Sequence, residues 1–375
     1  MILGVPFRDE PMDDADVWRH MKHRWLWWIG AVGCVLLLSC LLIPAVVYDR
    51  GGGGACSGCH EIAPSVASWK TSSHRNIACT ACHEGSLSMN PAAHLNNFSN
   101  LVAHWAGSAT SPPHLKFSRI DPMVERCGQC HQKEHADWAA GPHGATYRTF
   151  FLDPAQNRKE QLSEDCLRCH GMFFEESISH LVAPLDRQGP WVIHGGVCED
   201  SAAIPCLACH QIHSEGVPAG LHPANEEIVE ASRELCLPSL AFFDRRDRLS
   251  ISTVYLPIPR MLDGDRLVKM SPDKRQGLCY QCHSPEWTRQ AGSGDDRTGM
   301  GVHEGLSCLA CHHPHNQSAR ASCAECHPRL SNCGLDVEKM DTTFRDPKSR
   351  HNIHFVKCRD CHPLGVPSPD EIQIH

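Results

Sequence analysis

Residues 56–60 read CSGCH, two thiols and an imidazole within five positions. The pattern returns as CTACH (79–83), CGQCH (127–131), CLRCH (166–170), CLACH (206–210), CYQCH (279–283), CLACH (308–312), CAECH (323–327) and CRDCH (358–362). These nine copies take 18 of the 23 cysteines. Chance, at the chain's own Cys and His frequencies, gives roughly 0.1 copies of such a pattern. Three chemistries use a Cys-x-x-Cys pair. Zinc wants paired units or two distant histidines at fixed offsets. A redox dithiol occurs once, in a βαβ setting. Neither asks for a histidine directly after every second cysteine. Covalent haem attachment does. Each thiol adds to one vinyl group, two intervening residues let both sulfurs reach the porphyrin edge, and the next imidazole falls beneath the iron.

On this reading the chain binds nine haems c. The sulfur and proximal sets are Cys56, Cys59 and His60; Cys79, Cys82 and His83; Cys127, Cys130 and His131; Cys166, Cys169 and His170; and Cys206, Cys209 and His210. They continue with Cys279, Cys282 and His283; Cys308, Cys311 and His312; Cys323, Cys326 and His327; and Cys358, Cys361 and His362. Each iron has a second axial position. Removing the nine motif histidines from 27 leaves 18, enough for an entirely bis-histidine protein. Local context ranks nine of them as distal ligands. His303 and His354 precede an attachment cysteine, and His213 and His315 follow a proximal histidine by three residues. His74 and His143 follow a motif and a Trp, and His104, His180 and His194 complete the set. Five cysteines lie outside the motifs: Cys34 and Cys40 in the apolar run, where they read as small apolar residues, and Cys198, Cys236 and Cys333, for which a Cys198–Cys236 disulfide and a thiolate haem ligand are the open readings.

Composition bounds the rest. Only 15 residues are Phe or Tyr, so the reading expects haems to fill the interior of a mainly α fold with long loops. A formal charge of −8 and the absence of a long basic run exclude nucleic acid as the main partner. Residues 25–48, WLWWIGAVGCVLLLSCLLIPAVVY, carry no charge. As a helix they predict one N-terminal transmembrane span, with Trp and Tyr at its ends. Arg19, Lys22 and Arg24 before it put the N-terminus in the cytoplasm. The expected location is therefore the inner membrane, single-pass, with the haem domain periplasmic or extracellular.

The expected organisation is a cytoplasmic tail (1–24), the anchor (25–48), a dihaem module (49–120) and a heptahaem module (121–375). Within the last, 211–278 is a haem-free insertion, and LSISTVYLPIP (249–259) reads as strand broken by Pro257 and Pro259. In 94–107, Leu95, Phe98, Leu101, Val102 and Trp105 fall at helical spacing, an amphipathic helix that either lies on a membrane surface or covers a haem.

The order of anchor, CSGCHEIAPSVASWKTSSHRNIACTACHEG and amphipathic segment in 25–131 resembles the NapC/NirT/NrfH family, membrane-anchored cytochromes that oxidise quinol. The NrfH-type pattern has Met two residues after the first motif histidine, where this chain has Ile62. More loosely, CGQCHQKEHADWAAGPHG and GVHEGLSCLACH resemble the nitrite reductase and hydroxylamine oxidoreductase superfamily of multihaem cytochromes, without the CxxCK haem of its catalytic nitrite reductases.

These readings imply an electron conduit. It would take electrons from membrane quinol or a membrane redox subunit and pass them to periplasmic or extracellular redox proteins. Glu61, Lys70, Glu84 and His94 are the nearest bases for quinol protons. The alternatives are a subunit of a multi-cytochrome complex or filament, and a haem reductase of small nitrogen or sulfur compounds.

Overall fold

The computed structural model describes residues 14–52, 54–83, 91–109, 115–153, 161–194, 199–213, 239–283 and 303–316. In chain order the helices are α1 (Asp14–Arg50), α2 (Ala63–Thr71), α3 (Cys79–Cys82), α4 (Pro91–Trp105), α5 (Ile120–Cys130), α6 (Gln132–Ala140), α7 (Tyr147–Leu152), α8 (Leu167–His170), α9 (Ile178–Leu181) and α10 (Gln276–Cys279). The strands are β1 (Val182–Ala183), β2 (Val192–Ile193), β3 (Ala241–Asp244), β4 (Leu249–Ser252), β5 (Leu262–Asp263) and β6 (Arg266–Leu267). Two compact units form, Met1–Gly58 with Ala78–Ala109, and Cys59–Ile77 with Thr110–His375.

In the first unit the apolar stretch is helical, inside α1, but the expected single-pass anchor is not upheld. Among the described residues no helix is long and apolar enough to cross a membrane. The inner-membrane placement falls with the anchor. The amphipathic helix forms as α4, with Leu95, Phe98 and Trp105 exposed at 69%, 62% and 72%.

The second unit corrects the expectation of a mainly α fold. Its helices are short and share the chain with three two-stranded antiparallel sheets, β1-β2, β3-β4 and β5-β6. In β3-β4, Phe242 faces Ile251 across the ladder. The turn between them is set by Asp244, whose Oδ1 accepts from the backbone N–H of Arg246 at 2.9 Å and of Asp247 at 3.0 Å. In β5-β6 the two-residue turn starts at Gly264, whose φ of 63° suits glycine.

The second unit's buried side chains form two clusters. One cluster joins Ile120, Val124, Met172, Phe173, Ala208, Phe242, Ile251 and Leu256. The other joins Tyr147, Phe151, Leu167, Phe174, Ile178, Leu181, Val182 and Ala203. Ten of the 15 Phe and Tyr residues lie between Phe117 and Tyr280, concentrated where the core forms. Arg245 ties the β3-β4 turn to this core. Its Nε donates to the Phe174 carbonyl at 3.0 Å, one terminal nitrogen pairs with Glu164 at 3.0 Å, and the other donates to the Glu176 carbonyl.

Candidate haem-attachment centre

The motif spacing becomes a local geometry. In five copies the backbone N–H of the motif histidine donates to the carbonyl of the first cysteine: His83 to Cys79, His131 to Cys127, His283 to Cys279 and His312 to Cys308 at 2.8 Å, and His210 to Cys206 at 3.0 Å. That is one turn of α-helix, in which residues i, i+3 and i+4 share a face. Both sulfurs and the imidazole therefore rise from one side of the turn, as a porphyrin bound at its edge and its iron requires.

Neighbouring elements aim these turns. On α5, Ile120, Met123 and Val124 are buried, and Cys127 continues their stripe at the next helical position. Gly128 permits a close approach, since a Cβ there would lie 2.9 Å from the His135 ring. Trp138 on α6 donates from Nε1 to the Ile204 carbonyl at 3.1 Å. The helix ends at Gly141, and Pro142–Gly144 form a tight turn carrying His143. Gly144 is needed there, because a Cβ would lie 2.4 Å from the Trp138 carbonyl oxygen.

Three of the expected distal histidines come to a proximal one. The ring centres of His74 and His131 are 6.0 Å apart, those of His143 and His283 6.2 Å, and those of His210 and His315 6.1 Å. With metal–nitrogen bonds of about 2.0–2.1 Å on each side and a ring radius at each end, two imidazoles flanking one metal sit roughly 6 Å apart centre to centre. Their mutual tilts, 64°, 31° and 19°, are all compatible, because each ring plane contains the shared axis at any rotation about it. The spacing fits an iron between each pair. Electrostatics agree at the His210–His315 pair. Burial, then His315 and His131, hold His210 below the ordinary histidine value, and burial with His313 does the same for His315. Burial pushes His170 down to about 4, with His283 adding to it. Neutral imidazole is the form that ligates iron.

The other expected residues are placed differently. His180 turns to Ser177 at 2.8 Å and Glu176 at 3.7 Å on an exposed surface. His194 is exposed at the end of β2, and His104 is exposed on α4. His213 is largely buried, which lowers its pKa. His303 opens the turn before Leu306, whose N–H donates to its carbonyl at 3.1 Å. Glu61 is buried beside His60, 3.4 Å from its Nε2, and Lys70 is exposed at the end of α2. The side chains of Cys56 and His94 lie outside the described residues, as do Glu84, Cys323, Cys326, His327, His354, Cys358, Cys361 and His362, and Cys198, Cys236 and Cys333.

Sequence reasoning missed the residues between the cysteines. Arg168, inside CLRCH, donates to Gln281, inside CYQCH, at 3.0 Å. It also missed Asp273, which accepts from Ser307 at 2.7 Å and pairs with Arg275 at 2.9 Å. No local signal marks either, since the contacts join segments distant in sequence.

The family described as cytochrome c554 and c-prime matches residues 126–186, the stretch holding CGQCH and CLRCH. Neither a curated protein nor a solved structure matches the chain. On the family match the chain is a c-type cytochrome, with haem c held covalently and haem-based electron transfer as its chemistry.

Proposed function

We propose that the chain is a nonahaem electron carrier, with one haem c on each motif and bis-histidine ligation on at least three. The pairs are His74 with His131, His315 with His210 and His143 with His283. The single observation that carries this reading is the recurrence of one ring spacing, 6.0–6.2 Å, at three motif histidines.

Such a haem supplies one-electron exchange at an iron whose axial positions are both filled. The protein's part is to fix the spacing of the imidazoles and, at His210 and His315, to favour the neutral ring by burial. That favours transfer between redox proteins over chemistry on a small substrate. The motifs at 56–60 and 79–83, within the stretch 25–131 that resembles the NapC/NirT/NrfH order of elements, are the entry end in this reading. A quinol or a reduced redox protein is the donor and a second redox protein the acceptor.

The test is made on protein from a host that matures c-type cytochromes. Intact mass should rise by nine haems, and fewer overturns the count. Replacing His143 with Ala should convert one haem's worth of low-spin absorption to high-spin, while His180→Ala leaves the spectrum unchanged. An unaltered spectrum in His143→Ala overturns the ligand pairing.

A further inference from the structure

The motifs of the second unit touch one another, and not evenly. Among the described residues, CYQCH (279–283) meets three others. Towards CLRCH, Arg168 donates to Gln281 at 3.0 Å, a bond between the middle residues of the two motifs. Cys169 and Cys282 lie within hydrogen-bonding reach of each other there. Towards CLACH at 308–312, α10 packs against the turn Cys308–Ala310. Cys308 approaches the buried Gln276 at 3.7 Å, Asp273 accepts from Ser307 at 2.7 Å, and Cys279 reaches Cys308. Towards CLACH at 206–210, Leu278 and Cys282 share one apolar cluster with Cys206, Ala208 and Cys209.

CGQCH (127–131) differs. Its helix α5 packs on the turn Cys206–Ala208, and Cys127 hydrogen-bonds Cys206. Those thiol contacts end as hydrogen bonds once the sulfurs carry porphyrins. Adjacency remains, because Arg168–Gln281 and Asp273–Ser307 hold the turns together without using sulfur. A thioether sets the porphyrin ring two bonds beyond its sulfur, through the former vinyl carbon, so attachment turns that touch bring porphyrin edges side by side.

We infer that Cys279 and Cys282 anchor a junction haem, adjoined by the haems of 166–170, 206–210 and 308–312, with the haem of 127–131 reached through that of 206–210. The inference rests on the multihaem reading and adds an order to it. A chain of motifs in sequence order would join 127–131 to 166–170 and 166–170 to 206–210. Here 166–170 is an arm of the junction instead, and electrons arriving at 206–210 have two onward neighbours beyond 279–283.

The experiment uses the full holoprotein. The double variant Cys279→Ala, Cys282→Ala should lose one haem by mass. Removing a charged centre perturbs its neighbours, so redox titration followed by electron paramagnetic resonance should show three of the remaining haems shifted in potential or released from magnetic coupling. Cys127→Ala with Cys130→Ala should shift one haem among those of 166–170, 206–210, 279–283 and 308–312. Equal effects from the two variants, with eight haems retained in each, overturn the junction. Should the first variant fail to fold, Arg168→Gln in the nine-haem protein decides. Its guanidinium lies between two attachment turns, so two potentials should fall together, and a shift in one or none overturns the contact. Fewer than nine haems in the unaltered protein defeats the multihaem count first and is seen by mass before any variant is made.

Discussion

α4 and α5 carry the same kind of apolar stripe and end in opposite surroundings. On α5, Ile120, Met123 and Val124 are 2%, 7% and 5% exposed. On α4, Leu101 and Val102 are each 43% exposed and Trp105 72%. Periodicity says which face of a helix is apolar, and tertiary neighbours decide whether that face is covered. The difference extends to the motifs. α5 runs its buried stripe into Cys127, so that attachment turn is anchored by the polypeptide core. α3, which carries Cys79 and Cys82, buries none of its residues. In the second unit the haem turns are therefore part of a packed protein, and substitutions there should be felt throughout it.

The largest test of that contrast is Leu167→Ala. Leu167 is fully buried, sits between Cys166 and Cys169, and packs with Tyr147, Phe174, Ile178 and Leu181. Truncating it removes about 2–5 kcal/mol, counting lost burial and the cavity left behind. The denaturant midpoint of the holoprotein should fall with little change in slope. An unchanged midpoint would mean that the haems, not the side chains, hold this unit together.

A smaller effect, with a pH signature, is expected at Asp273. The hydrogen bond and charge of Arg275, then Ser307, hold its carboxyl below the ordinary value of 3.8, against the opposing effect of burial. A carboxylate depressed in the folded state stabilises it above its unfolded pKa, and that contribution is lost as pH falls through the lowered folded value. Asp273→Asn should cost about 1 kcal/mol near neutrality, since the group is partly in water. The gap between variant and parent should close below pH 3.8. A gap that persists undiminished in acid would show that the amide fails sterically rather than for want of charge.

How far the sequence carried the reading follows from the range of each interaction. The attachment turns were legible because Cys, Cys and His at i, i+3 and i+4 are local, one helical turn read straight from the string. The choice among distal histidines was not. His74, His143 and His315 reach partners in distant segments, while His180 turns to the nearby Ser177. The two side-chain clusters were not legible, because a count of aromatic residues does not say where they gather in space. The strand-like LSIS was read from its β-branched content, but its partner AFFD was not, since register with a preceding segment is a long-range property. The uncharged stretch at 25–48 was read for its length and composition, and among the described residues no helix meets the requirement for a span.

The smallest expected effect completes the contrast between the two helices. Leu101 belongs to the same kind of stripe as Val124, but it is 43% exposed. Leu101→Ala gives up little burial, and alanine is at least as good a helix former. The change in stability should stay within about 0.5 kcal/mol, as for surface substitutions in general. Val124→Ala, on the covered face of α5, removes only two methyl groups and should still cost more, about 1–2 kcal/mol at roughly 0.8 kcal/mol for each buried carbon. The comparison is internal, because both substitutions remove a few carbons from an amphipathic helix. If Leu101→Ala proves the costlier of the two, then the face of α4 is covered in the working protein and the contrast drawn between the two helices is wrong.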